Sequence, residues 1–336
     1  MHFAQGSRSL RQSALALRAD AAGASDVGFR VALIIGVALY VAAASGSELL
    51  HAQATLLDGA PFSLACAACL CFYGHRLFPR AIRLVRGAEA GFMIVAIGLS
   101  LACLSYLSPM LDLPLRDLNF IAIDRRLGFD WLGAMLALDG HATALAILGA
   151  AYATFTAQLI GVVFAFVVAG RVRELDLFFV TFVSASLIAE AASLLAPTLG
   201  PIFVLAGDVH FAHLPTIGRA TGLIVEVLRN GTLKTIDLKA VNGIISFPSM
   251  HATVAALVPY FLRWSRPLFL FAVGLDSVML LSVVPCGNHY LIDLIGGLAV
   301  AAAAIVIGHR LRDAIDRAIA VAVSTRLATD ATGLAP

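Results

Sequence analysis

Ser246-Phe247-Pro248-Ser249-Met250-His251 and Gly287-Asn288-His289-Tyr290-Leu291-Ile292-Asp293 are two short polar stretches, and each runs directly into an apolar segment. Each histidine therefore falls at or beside a predicted helix start. Between them lie two apolar runs, 252–262 and 267–284, interrupted by Arg263-Trp264-Ser265-Arg266-Pro267. One run leads away and the other returns, so a helical hairpin brings both histidines to the same side of whatever the runs cross.

The composition says what they cross. Of the 336 residues, 60% are hydrophobic and only 13% charged, with a mean hydropathy of +0.92. Several apolar stretches reach the roughly 18–20 residues that a helix needs to span a bilayer. The expected fold is all-α, a polytopic transmembrane helix bundle. A net charge of +2 is too weak to imply a nucleic-acid partner, and none is expected. Cys66, Cys69, Cys71 and Cys103 lie inside apolar runs and read as small buried hydrophobes, and Cys286 alone neighbours a motif.

About eight spans are predicted, over 29–44, 61–78, 91–111, 141–170, 175–196, 251–264, 267–284 and 289–309. They divide the chain into a tail (1–28), three N-terminal spans (29–111), an outer interfacial segment (112–140), a membrane core (141–310) with a long outer loop (197–250), and a second tail (311–336). The first run ends in Ala42-Ala43-Ala44-Ser45-Gly46, which imitates a signal-peptide cleavage site, but its basic region is long and favours an uncleaved span. The piece 251–264 is short, and Arg263 extends it by snorkelling. Of the 23 Lys and Arg residues, 16 fall on one side of this arrangement. Cytoplasmic loops carry such an excess, so both termini are expected in the cytoplasm and both histidine stretches on the outer face of an inner or plasma membrane.

In the outer segment, Asp112, Asp117, Asp124, Asp130 and Asp139 alternate with Leu, Ile, Phe and Trp131, a pattern that predicts one amphipathic helix at the interface with a solvated acidic face. In the long loop, Arg219–Arg229 reads as a helix ended by Asn230-Gly231, and Pro197-Thr198-Leu199-Gly200-Pro201 as a helix break. Glu190 and Asp276 fall inside spans, where an ionisable group is costly and by default functional, although pairing within the bundle is the favoured reading. His210-x-x-His213 has metal-ligand spacing but no third ligand in register, so substrate contact or solvation is preferred.

The two stretches have the makings of phosphate chemistry. Ser249 precedes a helix and can cap its free amides, and helix N-termini attract anions. Two histidines at two such termini can act as nucleophile and general acid. Asp293 follows His289 by four residues on one helical face, where it can take the Nδ1 proton and leave Nε2 free to attack. The arrangement needs no metal, and no cofactor is implied.

Phe247-Pro248-Ser249-Met250-His251 together with His289-Tyr290-Leu291-Ile292-Asp293 resembles the second and third signature motifs of the type 2 phosphatidic acid phosphatase superfamily. The branch it most resembles contains the inositol phosphorylceramide synthases (the aureobasidin-resistance proteins) and their bacterial relatives. Asp124-Arg125-Arg126-Leu127-Gly128-Phe129-Asp130 is similar to the segment preceding the catalytic core there. The resemblance implies a six-helix core formed by the last six spans, His289 as a phosphohistidine nucleophile oriented by Asp293, His251 protonating the leaving alcohol, and Ser249 with nearby amides on phosphate oxygens. Two departures stand out. The first motif, a lysine followed by Arg-Pro, is not recognisable in the outer loop, and Val283 occupies the position of a phosphate-binding arginine. Another cation must then neutralise the anion, and Arg229, Lys234 and Lys239, with Arg219, are the candidates.

The sequence thus predicts an integral membrane enzyme that transfers phosphoryl or phospho-headgroup from a phosphorylated lipid to water, as a phosphatase, or to a hydroxyl acceptor, as an inositolphosphotransferase-like enzyme. The alternative is a transporter or a catalytically silent relative of the same fold, with Glu190 and Asp276 marking a polar path. The pattern carries no signal for a second subunit.

Overall fold

The computed structural model describes residues 105–232 and 243–332 continuously, with residues 53–54, 85, 87–88, 90–91, 94, 98, 102 and 235–236 as isolated pieces. The expected spans 29–44 and 61–78, most of 91–111, Lys234 and Lys239 lie outside the described residues. The described chain is helical apart from one two-residue parallel pairing, β1 (Gln53–Ala54) with β2 (Thr235–Ile236).

The helices in order are α1 (Leu107–Met110), α2 (Asp117–Arg126), α3 (Trp131–Asp139), α4 (Ala142–Tyr152), α5 (Phe155–Ala169) and α6 (Val172–Leu195). Then come α7 (Pro201–Leu205), α8 (Ile217–Arg229), α9 (Met250–Leu262), α10 (Arg266–Gly287) and α11 (Leu291–Thr332). Among the described residues, α6, α10 and the Leu291–Ala318 part of α11 are long and apolar enough to cross a membrane. Their outward side chains fit that setting: Leu195 of α6, Phe271 of α10 and Val306 of α11 are 71%, 69% and 50% exposed.

Two expectations change, and two features are added. The outer segment is two helices rather than one, because Gly128 takes a left-handed turn (φ 80°) between α2 and α3. The chain then bends by 112° into α4, as a broken span or re-entrant pair would. The predicted rod 141–170 is split at Ala153-Thr154, where the Thr154 hydroxyl turns back to the Ala151 carbonyl (2.6 Å) and Gln158 donates to that hydroxyl (2.8 Å). At the far end, α11 runs on past residue 310 into the segment read as a tail; its alanine-rich continuation favours helix, and Asp316 binds Arg173 of α6 at 3.0 Å. The breaks at 197–201 and at Asn230-Gly231 are present, Gly200 having φ 91° and Gly231 φ 70°.

The bundle is held by apolar packing of α5, α6, α9, α10 and α11, with Phe166, Phe178, Leu257, Phe261, Met279 and Ala304 all buried in one cluster. In a membrane such helices associate through close packing at small residues. Gly297 of α11 lies so near α9 that a Cβ there would strike the Ser249 carbonyl oxygen. The Thr253 hydroxyl sits 3.0 Å from both the Ser249 and Gly297 carbonyl oxygens. At about 1.5 Å per residue, α9 is about 20 Å long, shorter than the roughly 30 Å hydrocarbon core. Arg263 folds over the Tyr260 ring at 3.7 Å, and Arg171 over Trp264 at 5.0 Å, giving that end of the bundle charged and aromatic anchors.

Glu190 of α6 is 5% exposed, and neither carboxylate oxygen has a hydrogen-bond partner among the described residues. The expected pairing within the bundle is therefore absent for it there. Asp276 is buried beside Gln158.

Gly297→Ala forces α9 and α11 apart and should destabilise the protein by about 1–3 kcal/mol, read as a lower midpoint of thermal unfolding in detergent. An unchanged midpoint would mean that the close approach is not rigid.

Candidate active site

His289 lies in the turn between α10 and α11, after Asn288, which adopts a left-handed conformation (φ 56°). Asn tolerates this region better than most residues. The turn reverses the chain so that the imidazole faces back over the first turn of α11. His289 Nδ1 is 3.1 Å from Asp293 Oδ2, with His289 3% and Asp293 0% exposed. The same oxygen accepts the Tyr290 N–H at 3.0 Å and the Ser246 hydroxyl at 2.8 Å. An ionised carboxylate only accepts, so the imidazole donates through Nδ1 and presents the Nε2 lone pair on its other edge.

Nε2 faces Ser249. The Ser249 hydroxyl is 3.3 Å from it and also accepts the Ala252 N–H at 3.4 Å, as the cap of α9. The Ser249 N–H donates to the Asp293 carbonyl at 3.0 Å. The two motifs are thus bonded through both backbone and side chain. Gly287 is required by proximity, since a Cβ there would strike the His289 ring and lie 2.8 Å from the Tyr152 hydroxyl. His251, second residue of α9, stacks on Tyr152 at 3.7 Å with 12° between the planes, and Phe155 flanks it at 4.6 Å.

Sequence reasoning missed the role of α2 and α3. Asp117 and Asp124 are 4% and 2% exposed, which overturns the expected solvated acidic face. The first amides of α11 lack intrahelical acceptors, and Asp124 supplies them, taking the Leu291 N–H at 2.8 Å and the Ile292 N–H at 3.0 Å. Burial pushes the Asp124 carboxyl above its ordinary range, while those two amides pull it back. Asp117 accepts the Leu199 and Gly200 amides and the Tyr290 hydroxyl, the last at 2.8 Å. Asp139 binds the amides of Ala212, His213 and Leu214, which hold its carboxyl below the usual range. Trp131 Nε1 donates to the His289 carbonyl at 3.1 Å. A signal was present: Asp117 and Asp124 are seven residues apart, hence on one face of α2, with Phe120 and Ile121 buried between them. Carboxylates on an apolar face point to buried acceptors, not to solvent.

The long outer loop closes over the same turn. Asn288 Oδ1 accepts the Ile202 N–H at 2.9 Å, and its amide packs against Gly200 and Gly218. The two candidate cations that are described, Arg219 and Arg229, are engaged by other groups. Arg229 is bound to Asp112 at 2.6 Å and to the Leu113 carbonyl at 2.8 Å, so its guanidinium is engaged away from His289. Arg219 donates to the Gly207 and Val209 carbonyls. Val283 is fully buried, and His213 Nδ1 lies 2.9 Å from the Asp139 carbonyl.

Chemically, an imidazole with its lone pair directed at a helix-capping serine, and a second imidazole fixed by stacking alongside, can take up and release a phosphoryl group. The framework is a helical membrane bundle. Residues 118–307 match the family model described as PAP2 superfamily, over half of the chain, and the chain belongs to that superfamily. No curated protein and no solved structure compared with it matches. Membership supports a lipid phosphatase or phosphotransferase type of function.

Two outcomes follow. Gly287→Ala displaces the His289 ring, and a misplacement of about 1 Å costs on the order of 100-fold in rate, so activity should collapse while the unfolding midpoint stays near wild type; full activity would refute the crowding at Gly287. Asp124→Ala leaves the α11 amides uncapped, at about 0.5–2 kcal/mol, and should lower both the midpoint and kcat, with Asp124→Asn intermediate. A variant unchanged in both would remove α2 from the site.

Proposed function

We propose that the protein is a lipid-phosphate phosphatase or phosphotransferase that works through a phosphohistidine on His289. The single observation that carries the reading is the His289 imidazole, bound to Asp293 through Nδ1 and facing Ser249 through Nε2. The Nε2 lone pair attacks phosphorus as the bond from phosphorus to the lipid oxygen breaks. His251 gives its proton to the departing alcohol. In the second half, water or an acceptor hydroxyl attacks the phosphohistidine, His251 takes the proton from that nucleophile, and the P–N bond electrons return to Nε2. The positive charge that develops on His289 is stabilised by Asp293, and the cap position of Ser249 and the free amides of α9 suit the phosphate oxygens. Lys234 and Lys239 are the remaining cationic candidates of the outer loop.

The substrate is a phosphorylated lipid, reached from the bilayer. The motifs and the Asp124–Asp130 segment resemble the inositol phosphorylceramide synthase branch, which favours a hydroxyl acceptor; the same residues serve water. The side on which 16 of the 23 basic residues fall supports cytoplasmic termini and a site beneath the outer headgroups. One observation favours transport instead, the buried Glu190, which has no hydrogen-bond partner among the described residues. That reading has flux lost in Glu190→Gln or Asp276→Asn and retained in His289→Ala.

The test uses purified protein with 32P-labelled lipid phosphates. Wild type should acquire acid-labile, alkali-stable label, and His289→Ala none. Asp293→Asn and His251→Ala should slow turnover of lipid phosphate by about 100- to 10,000-fold. The His251 variant alone should recover on an ester whose leaving group needs no proton. Label that persists in His289→Ala would refute the proposal.

A further inference from the structure

Tyr152 closes α4 at the point where the predicted rod breaks, and its ring lies parallel to His251. The hydroxyl extends past that ring toward Gly287 and His289. A single point, the Cβ position of Gly287, lies 2.8 Å from the Tyr152 hydroxyl oxygen and 3.0 Å from His289 Nε2. The two atoms are therefore no farther apart than the sum of those distances. A reacting phosphorus waits about 3–3.5 Å from its nucleophile, and an O–H donor sits about 2.7 Å from the oxygen it serves. Both atoms are thus within reach of a single phosphoryl group.

The Tyr152 ring is half-buried and stacked on His251, with its hydroxyl directed at the Gly287 Cβ position. The guanidinium groups of Arg219 and Arg229 are engaged elsewhere, and Val283 offers no donor. The described side-chain hydroxyls facing Nε2 are those of Ser249 and Tyr152.

We propose that the Tyr152 hydroxyl donates a hydrogen bond to a non-bridging oxygen of the phosphoryl group held at His289, while its ring sets the plane of His251. During transfer, charge spreads over the three equatorial oxygens, and a donor already aimed at one of them needs no reorganisation. The phenol keeps its proton throughout, so the proton balance of the two half-reactions is unchanged. Tyr152 thereby couples the position of the general acid to that of the phosphoryl group. The inference rests on the phosphohistidine reading and adds a phosphate-contacting residue to it.

The experiment compares wild type, His289→Ala, Tyr152→Phe and Tyr152→Leu in kcat/KM for a lipid phosphate and in inhibition by orthovanadate, which imitates five-coordinate phosphorus. Tyr152→Phe keeps the stack and loses the donor. It should lose about 100-fold in kcat/KM and weaken vanadate inhibition in parallel, with the pH dependence assigned to His251 in place. Tyr152→Leu should shift that dependence as well. To separate donor from packing, 3,5-difluorotyrosine is placed at position 152, which keeps the shape and makes the hydroxyl a much stronger acid than that of tyrosine. Activity should then acquire a falling alkaline limb that wild type lacks. The proposal is overturned if Tyr152→Phe stays within twofold of wild type in both measurements while His289→Ala is inactive, or if the fluorinated protein shows no new limb. An active His289→Ala would overturn the phosphohistidine reading and this inference with it.

Discussion

One carboxylate oxygen holds the arrangement together. Asp293 Oδ2 receives the His289 imidazole, the Tyr290 amide and the Ser246 hydroxyl, and so joins residues from both motifs at one atom. A few ångströms away, the carbonyl of the same residue accepts the Ser249 amide. These groups are removed from water, where a missing partner costs about 1–3 kcal/mol. Their geometry is consequently over-determined, which holds the His289 imidazole in one tautomer and one orientation.

Two larger features make that junction possible. The hairpin of α9 and α10 carries Ser249 and His289 back to one end of the bundle, and Gly297 lets α9 and α11 approach closely enough for the Ser249 and Asp293 backbones to bond. The segment before the bundle then fastens the N-terminal turn of α11 from outside. Asp124 takes the amides that the helix leaves open, Trp131 takes the His289 carbonyl, and Asp117 ties Tyr290 to the turn after α6. The family match, over residues 118–307, takes in Asp124 and Trp131 together with both motifs.

The motifs, the hairpin and the helical membrane character were legible because each is a local property: a polar stretch at a helix start, a return after a basic break, an apolar run of sufficient length. The cap at Ser249 and the four-residue spacing from His289 to Asp293 appear in the structure as hydrogen bonds. What remained hidden depends on contacts between distant segments. Asp117 and Asp124 looked solvated because their acceptor role is defined by amides of residues 199–200 and 291–292. Tyr152 looked like an interior residue of one long span because the break at Ala153-Thr154 consists of a side-chain turn without glycine or proline. Arg229 looked available because its partner Asp112 lies more than a hundred residues earlier in the chain.

The central claim is that Asp293 holds one nitrogen of His289 and leaves the other to attack phosphorus. It is tested most directly by trapping the phosphoenzyme with 15N-labelled histidine and reading, by 31P–15N coupling, which nitrogen carries phosphorus. The account predicts phosphorus on Nε2 of His289. Phosphorus on Nδ1, or on another side chain, would contradict it.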